Sequence, residues 1–268
     1  MQRDSGGVQE RLMAIGLVQV EPVRWKCHYT IEKYWGEYSP LKTPYEVIDR
    51  EGNLLLTAGA TALWNGLVTA GLATPFNSTN AQIVVGDAST APVVGNTDMA
   101  AALATKINAA DVSSASNATP IVVAGTYSPT PVVGEVYALS GFSGAGAAAI
   151  NNTFELSVAS AASITLLNSA GTGAITVTGG VIQKVNKYRQ LVNGAPVVST
   201  NTVQFVAVFA TANANHAWNE WGISTGGGAT NKQAVAPPTL LNRAAPGGGL
   251  GTKTSAAAWT FTTTLSLA

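Results

Sequence analysis

Three features of this chain point to an all-β protein with a sandwich or jelly-roll main domain, one or two short helices and an inserted small β-barrel-like module. Charged residues make up only 10% of its 268 positions, and the charged helix formers Glu, Lys and Arg are scarce while turn formers are plentiful. Its closing run, 258–267, alternates strictly. Trp259, Phe261, Thr263, Leu265 and Leu267 fall on one face and Thr260, Thr262, Thr264 and Ser266 on the other, the signature of a half-buried strand with a β-branched outer face. The stretch from Val203 to Phe209 is apolar on both faces, as in a strand covered from both sides.

Residues 1–44 form a compositional zone of their own. Trp25, His28, Tyr29, Tyr34, Trp35 and Tyr38 alternate with Arg24, Lys26, Glu32, Lys33 and Glu37. Two readings of this zone stand: an aromatic, charged arm that lies across a neighbouring subunit, since Trp, Tyr and Arg anchor interfaces, or amphipathic strands packed on the chain's own core.

The main domain is expected to begin with residues 45–110. Tyr45 to Leu56 reads as two strands joined by a turn at Glu51-Gly52-Asn53. Thr57 then opens a helix to about Val68, with Ala60, Leu63, Trp64 and Leu67 on one face, a stripe expected to pack on the core. Ala81 to Asp87 reads as a buried strand ending in a Gly-Asp turn. A second short helix is expected over Met99–Ile107, capped by Thr97.

Residues 111–180 are almost free of charge and dense in Ala, Gly, Ser, Thr and Val. Strand candidates at 120–124, 134–139, 153–158, 163–167 and 174–177, separated by turn residues at short intervals, describe the inserted module. Polar and charged residues return with Val181-Ile182-Gln183-Lys184, and residues 181–268 complete the main domain.

Composition also narrows function. The formal net charge is zero, so no global field favours nucleic acid or a membrane surface, and neither is expected as a partner. Half the charge lies in residues 1–51, with seven basic and eight acidic groups, whereas six basic residues and one acidic follow Val181. Cys27 is the one cysteine, which excludes an intrachain disulfide. No apolar run reaches the ~20 residues of a membrane-spanning helix. The opening Met1-Gln2-Arg3-Asp4 is not a usual secretion signal, so the expected route out of a cell is inside a released particle.

Catalytic patterns are missing. His28 and His216 lie in different zones and in no H-x-x-x-H or H-E-x-x-H pattern, and there is no G-x-S-x-G elbow. Cys27 and His28, adjacent in a strand, point to opposite faces. The carboxylates after Glu51 form no recognisable acid-base pair. Gly251-Thr252-Lys253-Thr254 resembles the end of a phosphate-binding loop but leads into a strand and not a helix. Trp218 and Trp221 with Glu220 invite a sugar-platform reading, but a spacing of three in an extended chain implies one buried anchor and one outer contact. No catalytic, cofactor-binding or metal-ligating residues are assigned, and the chain is read as non-enzymatic.

One ordered set of motifs carries a resemblance. Gly86-Asp87 after a buried strand is followed by Trp218-x-x-Trp221-Gly222-Ile223, Leu240-Leu241-Asn242-Arg243, Gly251-Thr252-Lys253-Thr254 and the terminal Trp-x-Phe-Thr strand. Over roughly 45–110 and 181–268 this resembles a group of tailed-bacteriophage virion structural proteins. The insert is similar to small β modules that recur in phage structural proteins, through Gly134-Glu135-Val136, Ser140-Gly141, Asn151-Asn152-Thr153-Phe154 and Ile164-Thr165-Leu166. The usual His-Gly-Leu before the first turn is absent, with Tyr127-Ser128-Pro129 in its region. The resemblance implies a virion protein assembled in the host cytoplasm: a capsid decoration (cement) protein, a homo-oligomer with a trimer favoured, bound to the major capsid protein. The alternatives are a tail, collar or baseplate subunit and a host-surface polysaccharide-binding module.

Overall fold

The computed structural model describes residues 25–68, 75–100, 103–107, 111–128, 130–225 and 239–267. Two five-stranded sheets face each other across the main core. The first has the order β13 (Val197–Ser199), β14 (Thr202–Phe209), β19 (Ala257–Leu267), β1 (Trp25–Trp35) and β2 (Glu46–Glu51). The second runs β12 (Lys187–Leu191), β4 (Gln82–Gly86), β16 (Glu220–Thr225), β17 (Thr239–Ala244) and β3 (Leu54–Leu55). The strand pairs in both sheets are antiparallel. This is an all-β, sandwich-like fold, as the composition and the alternation of the closing strand imply.

That closing strand, β19, is the axis of the first sheet. It pairs with β14 from Thr202↔Ser266 to Phe209↔Trp259 and with β1 from Trp25↔Leu267 to Trp35↔Ala257. Its inward residues Trp259, Phe261, Thr263 and Leu265 are buried. They meet Tyr29, Ile31, Phe205, Ala207 and Phe209 of the same sheet and Ile83, Val85, Trp221 and Ile223 of the other in one continuous core. Of the stretch read as an arm, residues 25–35 are therefore an inner strand of the sandwich, with Cys27, Tyr29 and Ile31 buried by period-two alternation. Residues 1–24 lie outside the described residues.

The helix α1 (Thr57–Val68) forms where its sequence predicts, but it meets the sheet through a different face. Gly59 is buried against β17, where an added Cβ would collide with the Leu241 carbonyl, so the helix lies directly on the strand backbone. Leu63 and Trp64, expected to pack inward, are 41% and 66% exposed. Close backbone approach selects the small residues of the helix for its inner face and turns the large ones out. The second helix expected over 99–107 does not form. Met99 and Ala100 end a loop, and β5 (Leu103–Ile107) pairs antiparallel with β11 (Val181–Val185). Among the described residues the other helix is the single turn α2 (Ala147–Ile150).

A seven-stranded sheet holds a second core. Its order is β5, β11, β8 (Val136–Ser140), β9 (Thr153–Ala159), β10 (Ser163–Leu166), β7 (Val122–Gly125) and β6 (Val112–Ala115). Four of the expected strands appear at or near their places. The fifth, 174–177, contributes only an isolated bridge between Thr176 and Ser143. Ile121, Val123, Tyr137, Leu139, Phe154, Leu156, Ile164 and Leu166 close this core, and Asn151 clamps the Phe142 backbone through both its amide atoms. The sheet takes in β5 and β11, so its strands extend on both sides of the charge-poor stretch 111–180. The last two strands, β15 (Ala217–Trp218) and β18 (Gly251–Thr252), form a short ribbon beside the sandwich.

Candidate functional site

β11 is the last strand of the module's sheet in chain order, and after the single residue Asn186 β12 begins at the edge of the second sandwich sheet. Asn186 is the crossing point. Its amide donates to Asp87 Oδ2 at 2.8 Å, and the Asp87 N–H donates to its carbonyl at 3.1 Å. Around this crossing the two units leave a cleft of about 650 Å³. One wall is the turn before β8, with Glu135. The other is built from 212–216 and the segment Thr252–Ser255, which begins at the last residue of β18.

Burial and pairing set the electrostatics of the cleft. Lys184 Nζ lies 2.5 Å from Glu135 Oε1, each side chain about a quarter exposed. Glu135 Oε2 also accepts from the Tyr137 hydroxyl and the Val132 N–H, both at 3.1 Å. Lys187 pairs with Asp98 at 2.6 Å. Lys253 is buried and donates to Ala210 O at 2.7 Å, Asn215 Oδ1 at 2.9 Å and Thr211 O at 3.4 Å. These neutral oxygens take up its three N–H groups, and burial lowers its pKa to about 8. His216 Nδ1 lies 2.8 Å from the Ala217 carbonyl, which can only accept, so the proton sits on Nδ1. Burial lowers the pKa of this imidazole, which keeps it neutral, with the Nε2 lone pair buried and unpartnered.

A second polar centre lies on the far face of the second sheet, under residues 87–100. Arg243 and Glu220, both fully buried, pair at 2.7 Å. Arg243 also donates to Asn96 Oδ1 and Thr90 O, both at 2.9 Å, while Glu220 Oε2 accepts from the Ala100 N–H at 3.0 Å. Beside them Asp98 meets Arg189 at 3.1 Å as well as Lys187. Gly86 is required here because a Cβ would come within 2.5 Å of Glu220 Oε1. The charges bind the loop to the sheet, which explains Gly86 at the end of β4 and Arg243 in β17.

The residues weighed for chemistry in the sequence take other roles. Trp218 and Trp221 are both fully buried, so neither is an outer contact, and with Glu220 also buried they form no exposed platform. The strand breaks at Asn219 between β15 and β16, which resets the alternation. Lys253 anchors the loop 210–215 and does not project toward a phosphate. Cys27 is buried beside Thr263 Oγ1 at 3.3 Å, with its thiol pushed up to about 11 by burial, while His28 faces out and contacts Asp49. Among the described residues, no three His, Cys, Asp or Glu side chains cluster as metal ligands. No helix among them is long and apolar enough to cross a membrane. The Gly-rich stretch 226–230 lies outside the described residues.

The cleft itself was not legible in the sequence. Its lining comes from four segments more than a hundred positions apart at their extremes, and the only local sign was the excess of basic residues after Val181. Compared with protein-family models, curated proteins and solved structures, the chain matches none.

Proposed function

We propose that this chain is a non-enzymatic structural protein of a tailed-bacteriophage particle, a capsid decoration protein that binds the outer face of the major capsid lattice as a homo-oligomer, with a trimer favoured. The observation that carries this reading is the outer face of the first sandwich sheet. Rows of cross-strand neighbours run Val206, Thr262, Thr30, Asp49 and Val208, Thr260, Glu32, Val47. The first row is half-buried or exposed throughout, and three of its four residues are uncharged and β-branched. At its margins Val197 and Val198 are 61% and 75% exposed, and Trp35, 64% exposed, stacks on Tyr45 with ring centroids 4.3 Å apart. A broad face of Thr, Val and Gln on β14 and β19, with its charges (Lys26, Glu32, Asp49 and Glu51) gathered on β1 and β2 and with aromatic and aliphatic side chains at its edges, suits burial against other subunits. Binding the assembled lattice and not free capsid protein would stabilise the shell by mass action.

Cryo-electron microscopy of the particle carrying this protein tests the reading. Regular copies at the local symmetry axes of the capsid, with the first sheet toward the lattice, are the expected result. Copies confined to the tail, collar or baseplate would replace it with the tail-subunit reading.

A further inference from the structure

The cleft between module and sandwich has properties that the decoration role does not use. Its volume of about 650 Å³ lies in the range of small-ligand sites. Three of the six basic residues that follow Val181 line it, Lys184, Lys187 and Lys253, against a single lining carboxylate, Glu135. Glu135 balances Lys184 and Asp98 balances Lys187. Lys253 makes no ion pair among the described residues, although the Glu37 carboxylate acts on it from outside the lining, and with three lining ammonium groups against one lining carboxylate the cleft is biased toward anions. The rim adds a different chemistry. Thr254 and Ser255 are exposed hydroxyls beside the cleft, and hydroxyls both donate and accept.

We infer that this cleft binds a short stretch of acidic saccharide, a carboxylate of the sugar meeting Lys184 and its ring hydroxyls bonding to Thr254 and Ser255. Lys253 attracts the carboxylate through its field alone, because its N–H groups are already used. Lys184 is the cation that the ligand touches, since its side chain remains 24% exposed beside Glu135. One ammonium more exposed than its neighbour, 24% against 14% for Lys187, beside hydroxyls fits a single carboxylate carried on a polyol. A run of acidic peptide side chains would need a row of cations.

The test is calorimetric titration of the full chain with trigalacturonate at low ionic strength, with maltotriose and hexaglutamate as comparison ligands. Trigalacturonate is expected to bind, maltotriose to bind at least about tenfold more weakly, and added salt to weaken the acidic ligand. Lys184→Gln is expected to lower the affinity at least about tenfold. Ser255→Trp fills the mouth while leaving every charge in place and is expected to do the same, so an effect of Lys184→Gln on the module's orientation does not decide the outcome. No heat with trigalacturonate overturns the inference, as does binding that both variants leave unchanged, equal binding of maltotriose, or tighter binding of hexaglutamate. None of these results bears on capsid decoration, which rests on the outer face of the first sheet.

Discussion

Trp218 and Trp221 turn their rings into the same core from either side of Asn219. Trp218 stands edge-on to Phe209 and Trp259, with centroids 4.5 and 4.7 Å away, while Trp221 lies 4.8 Å from both Tyr29 and Phe261. Asn219 makes this possible. Its N–H donates to Gly86 O at 2.8 Å and its amide to Asp87 O at 2.7 Å, so the chain steps sideways with its own N–H and both of these carbonyls paired. Asn219→Ala removes the amide bond and leaves the Asp87 carbonyl short of a donor, at an expected cost of about 1–3 kcal/mol in urea unfolding. Trp221→Ala should cost about 3–5 kcal/mol because it empties the centre of the core.

The contact between α1 and β17 makes an opposite pair of predictions on one helix. Gly59→Ala places a methyl against the Leu241 carbonyl and is expected to destabilise by about 1–3 kcal/mol, although alanine is the better helix former. Trp64→Ser, one turn on and exposed, is expected to stay within about 0.5 kcal/mol of the parent. Chemical denaturation of both variants checks the assignment of inner and outer faces.

These two sites show where the sequence is legible and where it is not. Strict alternation in 258–267 and the apolar runs 81–87 and 203–209 encode strands by local pattern, and the structure has them there, although the run 203–209 is covered on one face only, with Val206 and Val208 half-buried on the other. The module's strands are legible for the same reason, since turn residues punctuate them. What fails is whatever depends on a partner distant in the chain. Leu63 and Trp64 have helical spacing, but only the approach of Leu241 decides that Gly59 faces in. Residues 103–107 become a strand because β11 offers an edge, and Lys253 is buried because the loop 210–215 wraps its ammonium.

Asp98 gives the molecule an acid-sensitive contact. Burial alone would raise its pKa, but Lys187 and Arg189 override that and hold the carboxyl below its usual value. A depressed acid adds stability that is present above the unfolded value near pH ~3.9 and is lost as pH falls through the folded one. Asp98→Asn is expected to be less stable than the parent at neutral pH, with the gap narrowing below about pH 4. Urea midpoints measured across that range check it.

Lys253 acts at the other end of the scale. Its folded pKa, lowered to about 8 by burial, lies below the unfolded value, so the unfolded chain binds more protons between the two. Its contribution to stability should therefore increase as pH rises from about 8 toward about 10.4. Lys253→Met should remove this slope and, by stripping the donors from Ala210 and Asn215, lower stability at neutral pH.

The thiol of Cys27 tests the sandwich core directly. Buried, and with its pKa pushed up to about 11, it carries almost no thiolate at neutral pH. A thiol-reactive disulfide reagent is expected to leave the native protein unlabelled and to label it completely in denaturant. Rapid labelling of the native state would show that β1 opens from the sheet.

The pairing of β1 with β19 has a consequence for biosynthesis. Cys27 and Thr263, in contact across these strands, are 236 positions apart. During translation β1 can pair with β2 early, but its other edge and its apolar face must wait until almost all of the described chain has been made. The seven-stranded module lies wholly inside that interval and draws its core from 112–182, so it can fold on the ribosome first. Such long-range pairing is slow to form, and the waiting strand is the segment most exposed to aggregation while the nascent chain is incomplete.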